Sequence, residues 1–336
     1  LLLMPDLFNY YLCGAQVSEY SIASTTQMLD ARTKMWSKEV LESLGIPERI
    51  LGGIVPCGTR LGFIKNGICQ ELGIEPMEVI AVAGHDTQSA LAAVPARDKD
   101  FIFISCGTWS LFGTELDEPV INGVSERLNI TNEGGCQGKI SFLKNIIGLW
   151  LIQESRRQWI REGKEYSFGH LEQMAADAKP FKALIDPDAP EFVPAGNIPE
   201  RIRSYCRKSG QKVPENEAEL VRCIDESLAL KYRMTLEEIK MCTGREYPAI
   251  HMVGGGTQSG LLCQMTANAC HCPVIAGPVE ATVLGNAAMQ LLATGELRDL
   301  DQVRSVVGAS AKVSIYEPKD TDQWEQVYGQ YKKMLE

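Results

Sequence analysis

Apolar positions recur along the chain in two patterns, and together they predict alternating strands and helices. The helical pattern is clearest over 215–243, where Leu220, Ile224 and Leu228 recur every four residues and Gly244 follows. Further helices are predicted at 5–12, 37–44, 88–94, 145–160, 257–269 and 281–294. Short apolar runs with β-branched residues predict buried strands at 78–83, 101–105, 109–115, 249–253 and 272–276. This alternation is typical of α/β layers.

Three regions refine this picture. The strands at 101–105 and 109–115 flank the short turn Cys106-Gly107-Thr108, which predicts a hairpin and therefore a mixed sheet. The segment 161–213 is rich in Pro and Asp and shows a weaker pattern. The charged tail 297–336 is expected to lie at the periphery.

Composition places the chain among ordinary globular proteins. Of the 336 residues, 45% are hydrophobic and 23% charged, which excludes disordered, collagen-like and coiled-coil classes. The length suggests two domains, each able to bury a core of its own.

Charge and cysteine usage exclude several kinds of partner. The 33 Lys and Arg residues against 43 Asp and Glu give a net charge of −10, which argues against nucleic-acid binding. No apolar run reaches the length of a membrane span. The 11 cysteines are scattered, and the nearest approach to a metal pattern, Cys270-His271-Cys272, has neighbours that would point opposite ways on a strand, so no metal site is predicted. Reduced thiols and a cytoplasmic location are expected. The sequence leaves open whether Cys206 and Cys223 are bonded.

Three glycine-containing turns follow predicted buried strands: Gly84-His85-Asp86-Thr87, Gly107-Thr108 and Gly254-Gly255-Gly256. At such turns the backbone can approach a ligand closely, and the first N–H groups of a following helix can bind an anion. Three in one chain favour a phosphate-bearing ligand. The dinucleotide fingerprint does not fit, because the next glycine comes at position 260, one residue too late. The P-loop fails as well, since no Gly-Lys-Ser/Thr sequence occurs.

Asp86 is the most informative single residue. A carboxylate at a strand-to-helix turn can accept a proton from a substrate hydroxyl, as phosphoryl transfer to an alcohol requires. The alternative is a helix N-cap, which the local sequence alone favours. The alternative for His85 is a packed, hydrogen-bonded histidine.

Thr108, Asn145 and Gln153 are further candidates. The Gly107-Thr108 turn could hold a transferring phosphate through its N–H groups and hydroxyl, or Thr108 could simply suit a strand. Asn145 and Gln153 are eight residues apart on one predicted helix, so both are expected on the same face. There they could reach a sugar hydroxyl and a nucleotide phosphate, or face solvent.

Several stretches together resemble the FGGY carbohydrate kinase family. They include AVAGHDTQSA, ISCGTWSL, TNEGG followed by FLKNIIGLWLIQE, and HMVGGGTQSGLLCQM, in the family's order from Leu1 to about Leu297. The resemblance implies an α/β actin-like (ribonuclease H-like) ATPase fold with two domains. It implies that residues 1–95 are the end of the N-terminal domain, on the sugar side, and that residues 96–336 form the C-terminal domain, on the ATP side.

The resemblance also implies a reaction. Within the family the stretches are most similar to kinases that transfer the γ-phosphate of Mg·ATP to the 1-hydroxyl of L-rhamnulose. By matching position, Asp86 is then the general base, and His85, Asp86, Thr87 and Asn145 contact the sugar. Thr108, Gln153 and Gly255 bind ATP, with Mg²⁺ as the cofactor. The alternatives are L-fuculokinase or another ketose kinase of the family, or a nucleotide- and sugar-binding module without turnover.

One departure from the family pattern concerns the start of the chain. The family begins with a strand and an Asp-x-Gly-Thr/Ser phosphate loop, and no segment here matches them. We therefore expect the chain to begin inside the N-terminal domain and to lack on the order of 150 residues, a sensible size for most of a domain. The expected consequence is little or no kinase activity of this chain alone.

Overall fold

The computed structural model describes all 336 residues, which form fourteen α-helices and thirteen strands. The helices are α1 (Met4–Cys13), α2 (Tyr20–Ser24), α3 (Lys38–Leu44), α4 (Asn66–Leu72), α5 (Asp86–Ala92), α6 (Gly123–Arg127), α7 (Trp150–Arg161), α8 (Phe168–Asp177), α9 (Ile198–Lys208), α10 (Glu217–Thr243), α11 (Gly260–Cys270), α12 (Ala281–Thr294), α13 (Leu300–Ser310) and α14 (Thr321–Leu335). The strands are β1 (Val17–Glu19), β2 (Leu29–Asp30), β3 (Met35–Trp36), β4 (Gly53–Val55), β5 (Thr59–Phe63), β6 (Glu78–Ala81), β7 (Ile102–Cys106), β8 (Trp109–Leu116), β9 (Thr131–Gly134), β10 (Ile140–Ile147), β11 (Ile250–Val253), β12 (Val274–Ala276) and β13 (Ser314–Tyr316). Short 3₁₀ turns cover Glu48–Ile50, Cys136–Gly138, Pro190–Phe192 and Gly255–Gln258.

The chain folds into two compact units, each built from three segments. The first contains residues 1–99, 114–143 and 280–311, and the second contains residues 100–113, 144–279 and 312–336. Strands β8 and β10 are divided between the two sets of residues. The domain boundary between residues 95 and 96 stays a prediction, because compact units are defined by contacts and not by the ligand that each domain binds.

The second unit contains three of the predicted strands in parallel pairing. β11 pairs in parallel with β7 on one side and with β12 on the other, and β13 pairs antiparallel with β12. The hairpin of β7 and β8 is also present, since the two strands are neighbours in the sheet. The residues of β11 are buried throughout, as expected for a strand covered on both faces. The mixed sheet is therefore confirmed.

Helix α10 is the longest helix of the second unit, and its ends follow the predicted signals. The side chain of Asn216 caps the first turn by accepting from the N–H of Glu219, and Gly244 ends the helix with a φ of 66°. That left-handed conformation suits glycine because it lacks a Cβ atom.

The expectation that the tail 297–336 is peripheral is wrong for α14. One face of this helix lies in a core cluster with residues of α10 and α11, and contributes Trp324, Val327, Tyr328 and Tyr331. The other face of the helix is charged, so α14 is amphipathic, and the average composition of the tail does not show its apolar face.

In the first unit, β6 leads through a short loop into α5, which packs against α12. A Cβ atom on Gly285 of α12 would lie 1.7 Å from the backbone oxygen of Ser89 in α5. Only glycine permits so close a helix approach. A core cluster beside this contact contains Ala83, Ala92, Cys136, Met289 and Leu300.

The predicted helix 145–160 is wrong at its beginning. Residues 140–147 form β10, whose first half pairs antiparallel with β9, and α7 begins only at Trp150. The segment Asn145-Ile146-Ile147 contains two adjacent β-branched residues, which favour a strand. After Gly148 the chain turns, and the N–H of Leu149 donates to the carbonyl of Gly107.

Two further expectations concern the whole chain. None of the helices combines the length and the apolar composition that a membrane span needs. All eleven cysteines are free thiols, and Cys206 and Cys223 are both buried and not bonded.

Candidate active site

The loop between β6 and α5 carries three of the candidate residues. His85 is the N-cap residue of α5, with extended backbone angles, and Asp86 is the first residue of the helix. No side chain caps this helix, so the capping interpretation of Asp86 is not supported. The Asp86 side chain is 81% exposed, whereas Thr87 is buried. The Asp86 carboxylate is therefore open to a ligand.

The backbone of this loop is fixed by two side chains from the start of α2. The N–H of Gly84 donates to Oε2 of Glu19 at 2.9 Å, and the N–H of His85 donates to Oγ of Ser21 at 3.1 Å. The Ser21 hydroxyl itself donates to Oε2 of Glu19 at 2.5 Å. Burial raises the pKa of the Glu19 carboxyl, and the hydrogen bonds from Ser21, Gly84 and Ile22 oppose that rise. These bonds hold the loop in one conformation.

The side chain of His85 lies between two carboxylates. Its Nδ1 is 3.1 Å from Oε2 of Glu133 in β9, and its Nε2 is 4.0 Å from Oδ1 of Asp86. The hydroxyl of Thr87 lies 3.5 Å from the same Asp86 oxygen. The structure therefore brings the predicted residues His85, Asp86 and Thr87 together, with Glu133 as an additional member of the cluster.

In the second unit, the turn between β7 and β8 brings Thr108 and Gln153 together. Thr108 Oγ1 donates to Oε1 of Gln153 at 3.2 Å, and Thr108 is exposed. The segment that leads into α7 is tied to this turn, because the N–H of Trp150 donates to the carbonyl of Thr108 at 3.1 Å. A hydroxyl, an amide and a tight turn thus converge at one exposed position.

The triple-glycine segment after β11 lies against the end of β7. A Cβ atom on Gly256 would lie 2.1 Å from Sγ of Cys106, and one on Gly254 would lie 2.9 Å from the Cys106 carbonyl oxygen. Gly254 also has a φ of 88°. Gly255 is exposed with open space beside it, so a ligand can approach its backbone directly.

Buried polar groups support this end of the sheet. The hydroxyls of Ser110 and Tyr232 are 2.6 Å apart, and the Cys106 thiol lies within 3.9 Å of both. Burial raises the pKa of Cys106 to about 11, so the thiol is neutral and serves packing rather than chemistry.

Asn145 is not where the sequence analysis placed it. It lies on β10 and is exposed, whereas Gln153 lies on α7, so the two amides do not share one face of a helix. Both belong to the second unit, together with Thr108 and Gly255. His85, Asp86 and Thr87 belong to the first unit.

Glu19, Ser21 and Glu133 are the site residues that sequence reasoning missed. Glu133 is the acidic residue of the TNEGG stretch. An acidic residue followed by two glycines is the one local signal that could have indicated a role for it. Glu19 and Ser21 carry no local signal of this role, because the loop N–H groups that they bind are more than 60 residues away. The structure contains no cluster of three or more His, Cys, Asp or Glu side chains that could hold a metal ion.

Comparison with known proteins assigns the two parts of the chain to one family. Residues 102–294 match the C-terminal domain of the FGGY family of carbohydrate kinases, and residues 1–93 match the N-terminal domain of the same family.

Two relatives named rhamnulokinase are similar over almost the whole chain. The protein from Bacteroides thetaiotaomicron is 43% identical over 334 residues, which cover 99% of this chain and 68% of that protein. The protein from Enterococcus faecalis is 41% identical over 324 residues, which cover 96% of this chain and 65% of that protein. The chain thus spans about two thirds of the length of these relatives.

Solved structures of sugar kinases share the fold. A ligand-bound xylulose kinase from Lactobacillus acidophilus superposes with a TM-score of 0.75 at 18% identity, over 99% of this chain and 66% of that one. A glycerol kinase from Plasmodium falciparum with ADP gives a TM-score of 0.73 at 15% identity, over 98% of this chain and 64% of that one. These matches confirm the predicted α/β actin-like sugar-kinase fold. The chain belongs to the FGGY family of carbohydrate kinases.

Proposed function

We propose that this protein acts as a sugar kinase that transfers the γ-phosphate of ATP to the 1-hydroxyl of L-rhamnulose. The observation that carries the proposal is the set of relatives named rhamnulokinase, such as the two described above, at 41 to 43% identity over 96 to 99% of the chain. The exposed Asp86 carboxylate beside His85 supplies a group suited to this chemistry.

In the proposed reaction Asp86 is the general base. Its carboxylate accepts the proton of the sugar hydroxyl while that oxygen forms a bond to the γ-phosphorus and the bond to the β,γ-bridging oxygen breaks. ADP leaves with the bonding electron pair, and the proton on Asp86 returns to solvent. The exposure of Asp86 fits this role, since a substrate hydroxyl can reach its carboxylate.

The proposed sugar contacts are those that the family resemblance implies. His85 and Thr87 flank the base in the first unit, and the exposed Asn145 of β10 offers an amide that can hydrogen-bond a sugar hydroxyl. The assignment of residues 1–95 to the sugar side and of residues 96–336 to the ATP side is part of the same proposal.

The nucleotide would bind to backbone and uncharged side chains of the second unit. Thr108 and Gln153 present a hydroxyl and an amide at one turn, and Gly255 leaves open backbone for the adenosine part. Mg²⁺ would bind together with ATP, because Mg²⁺ usually takes its ligands from substrate phosphates and water and from few carboxylates. Its charge would neutralise the phosphate oxygens. A reaction that consumes ATP fits a cytoplasmic location, which is also part of the proposal.

The test is a phosphorylation assay with Mg·ATP and a panel of ketoses on this chain joined to the N-terminal segment of the family, because the 336-residue polypeptide alone is expected to show little or no activity. ADP release is coupled to a dehydrogenase, and ATP affinity is measured separately by calorimetry. The proposal expects phosphorylation with the highest kcat/KM for L-rhamnulose. A higher value for L-fuculose overturns the substrate assignment, and ATP binding without phosphorylation of any ketose favours a nucleotide- and sugar-binding module.

A further inference from the structure

We propose that Glu133 is a positioning residue that fixes the imidazole of His85, so that Nε2–H is offered to the acceptor sugar beside Asp86. The inference rests on the proposed function, because it concerns how the same cluster receives its substrate. It adds a residue on β9 to a group that the sequence analysis confined to the loop before α5.

The first observation is the contact itself. Nδ1 of His85 lies 3.1 Å from Oε2 of Glu133, which is within ion-pair distance, and both atoms are buried and have no hydrogen-bond partner. A buried nitrogen and a buried carboxylate oxygen without another partner are costly unless they pair. Since Nδ1 is the nitrogen engaged by Glu133, Nε2 is the one left for a ligand.

The second observation is that Glu133 is itself held firmly. The following residue, Gly134, donates its N–H to Oγ of Ser24 at 2.8 Å. A Cβ atom on Gly134 would lie 2.7 Å from the ring of Tyr20, so β9 sits directly against α2. The strand that carries Glu133 therefore has little freedom to move away from His85.

A cross-strand pair ties the same face to α5. Glu133 and Ser141 are partners across β9 and β10, so their side chains lie on one face of the sheet. Ser141 donates to Oε1 of Gln88 at 2.6 Å, and Gln88 lies one helical turn after His85. The two contacts together clamp the start of α5 to these strands.

The charges around His85 favour its cationic form. Burial lowers the pKa of His85, but the contact with Glu133 and the negative charges of Glu133, Asp86 and Glu19 together raise it above its ordinary value. Glu133 faces the ring from β9, Asp86 from α5, and Glu19 from the end of β1. An imidazolium donates from both nitrogens, one to Glu133 and one to a substrate oxygen.

This arrangement specifies the class of acceptor. A hydroxyl that Asp86 deprotonates and an oxygen that accepts from Nε2 of His85 must be close together, because the two protein atoms are 4.0 Å apart. A ketose has such a pair, since its 1-hydroxyl is next to the oxygen on carbon 2. A substrate without an oxygen on the carbon next to the reacting hydroxyl would lose the hydrogen bond from His85.

The first test is NMR titration of histidine in the whole chain. The protein has only 4 histidines, so ¹³C- and ¹⁵N-labelled histidine gives four ring signals, and the His85→Gln variant assigns one of them. We expect the wild-type His85 to titrate above the ordinary histidine value and its neutral form to keep the proton on Nδ1. In Glu133→Gln the midpoint should move to lower pH. In Glu126→Gln, which changes an exposed residue of α6, it should not move.

An unchanged midpoint in Glu133→Gln, or a wild-type neutral form protonated on Nε2, overturns the inference. The tautomer measurement needs no variant, so it decides the matter even where a substitution at Glu133 prevents folding.

The second test is kinetic. Glu133→Gln should lower kcat/KM for the ketose by roughly 10- to 100-fold, the scale of a misplaced binding group. It should also move the alkaline limb of the pH profile to lower pH and leave ATP affinity unchanged. The two proposals fail separately. An active kinase whose His85 midpoint in Glu133→Gln equals the wild-type value rejects the positioning role, whereas the expected titration without ketose phosphorylation rejects the proposed function.

Discussion

The Asp86 carboxylate is placed by the backbone of its loop, and its side-chain contacts are with its chain neighbours Thr87 at 3.5 Å and His85 at 4.0 Å. The loop is held by Glu19 and Ser21 through two backbone N–H groups, and the neighbouring His85 is held by Glu133. Asp86 itself is 81% exposed. A carboxylate presented in this way can be replaced without disturbing the packing around it.

Asp86→Asn is therefore expected to remove phosphoryl transfer while leaving the fold and ATP affinity unchanged. An amide cannot accept the hydroxyl proton, and the loss of a general base lowers kcat by about 10²- to 10⁴-fold. Coupled ADP release measures the rate, and calorimetry measures ATP binding.

The matched control is Asp98→Asn, which changes another exposed aspartate of the first unit and should keep the wild-type rate. Wild-type turnover in Asp86→Asn would show that another group accepts the proton.

At the scale of elements, close helix packing supports the candidate site. The helix that begins at Asp86 contacts α12 so closely that Gly285 has no room for a Cβ atom. In the second unit, α14 closes a core with α10 and α11, and Trp324 packs edge-on against Phe181 with ring centroids 4.9 Å apart. Each contact leads to a stability prediction.

Gly285→Ala should destabilise the protein by about 1 to 3 kcal/mol, the usual cost of overpacking. The new methyl group would lie 1.7 Å from the carbonyl oxygen of Ser89, so α5 and α12 must separate. Urea unfolding measures the effect. The control is Gly329→Ala in α14, where a Cβ atom meets nothing within 4 Å. There the better helix propensity of alanine should stabilise by about 0.5 to 1 kcal/mol. Equal effects of the two changes would refute the packing argument.

Trp324→Ala should cost about 3 to 5 kcal/mol, as for other large aromatic side chains removed from a core. Trp324 is 4% exposed, whereas Trp109 is 50% exposed. Trp109→Ala is therefore the comparison, with an expected loss well below that of Trp324→Ala in the same unfolding experiment. A small loss of stability at both positions would show that Trp324 is not part of a core and that the tail is peripheral.

At the scale of the whole molecule, buried carboxyl groups make stability depend on pH. Burial raises the pKa of Asp6 to about 6 and of Glu226 to about 7, and it raises the pKa of Asp225 well above its ordinary value. A carboxyl group with a raised pKa binds its proton more tightly in the folded state than in the unfolded chain. Its contribution to stability is full below the unfolded value and is lost as pH rises through the folded value.

Asp6→Asn should therefore weaken this pH dependence. Asp6 Oδ1 accepts from the N–H of Glu19, which an amide oxygen also can do, and Oδ2 has no partner. Between about pH 4 and pH 7, the wild-type free energy of unfolding should fall relative to that of the variant by up to about 3 kcal/mol. Urea unfolding at a series of pH values measures the difference. The exposed control Asp98→Asn should show the same pH dependence of the unfolding free energy as the wild type. If the Asp6→Asn curve runs parallel to the wild-type curve, Asp6 does not cause the pH dependence.

Much of the fold could be predicted because local signals act over a few residues. Ser37 and Gly45 delimit α3, and Asn216 and Gly244 delimit α10, each through bonds or backbone angles within one turn. The error at 145–160 has a local cause as well. The start of that segment is a strand, and its apolar residues suit either a buried strand or a helix until the place of β10 in the sheet, between β8 and β9, decides.

The sequence by itself determined the family, several of the helices and strands, and the short motifs that contain His85, Asp86, Thr108 and Gly255, because these depend on neighbouring residues. Only the tertiary structure decided which distant groups hold those motifs. Glu19 reaches Gly84 across 65 positions, and Glu133 reaches His85 from another strand. Such contacts follow from how strands and helices pack, and packing brings together residues whose separation along the chain carries no signal.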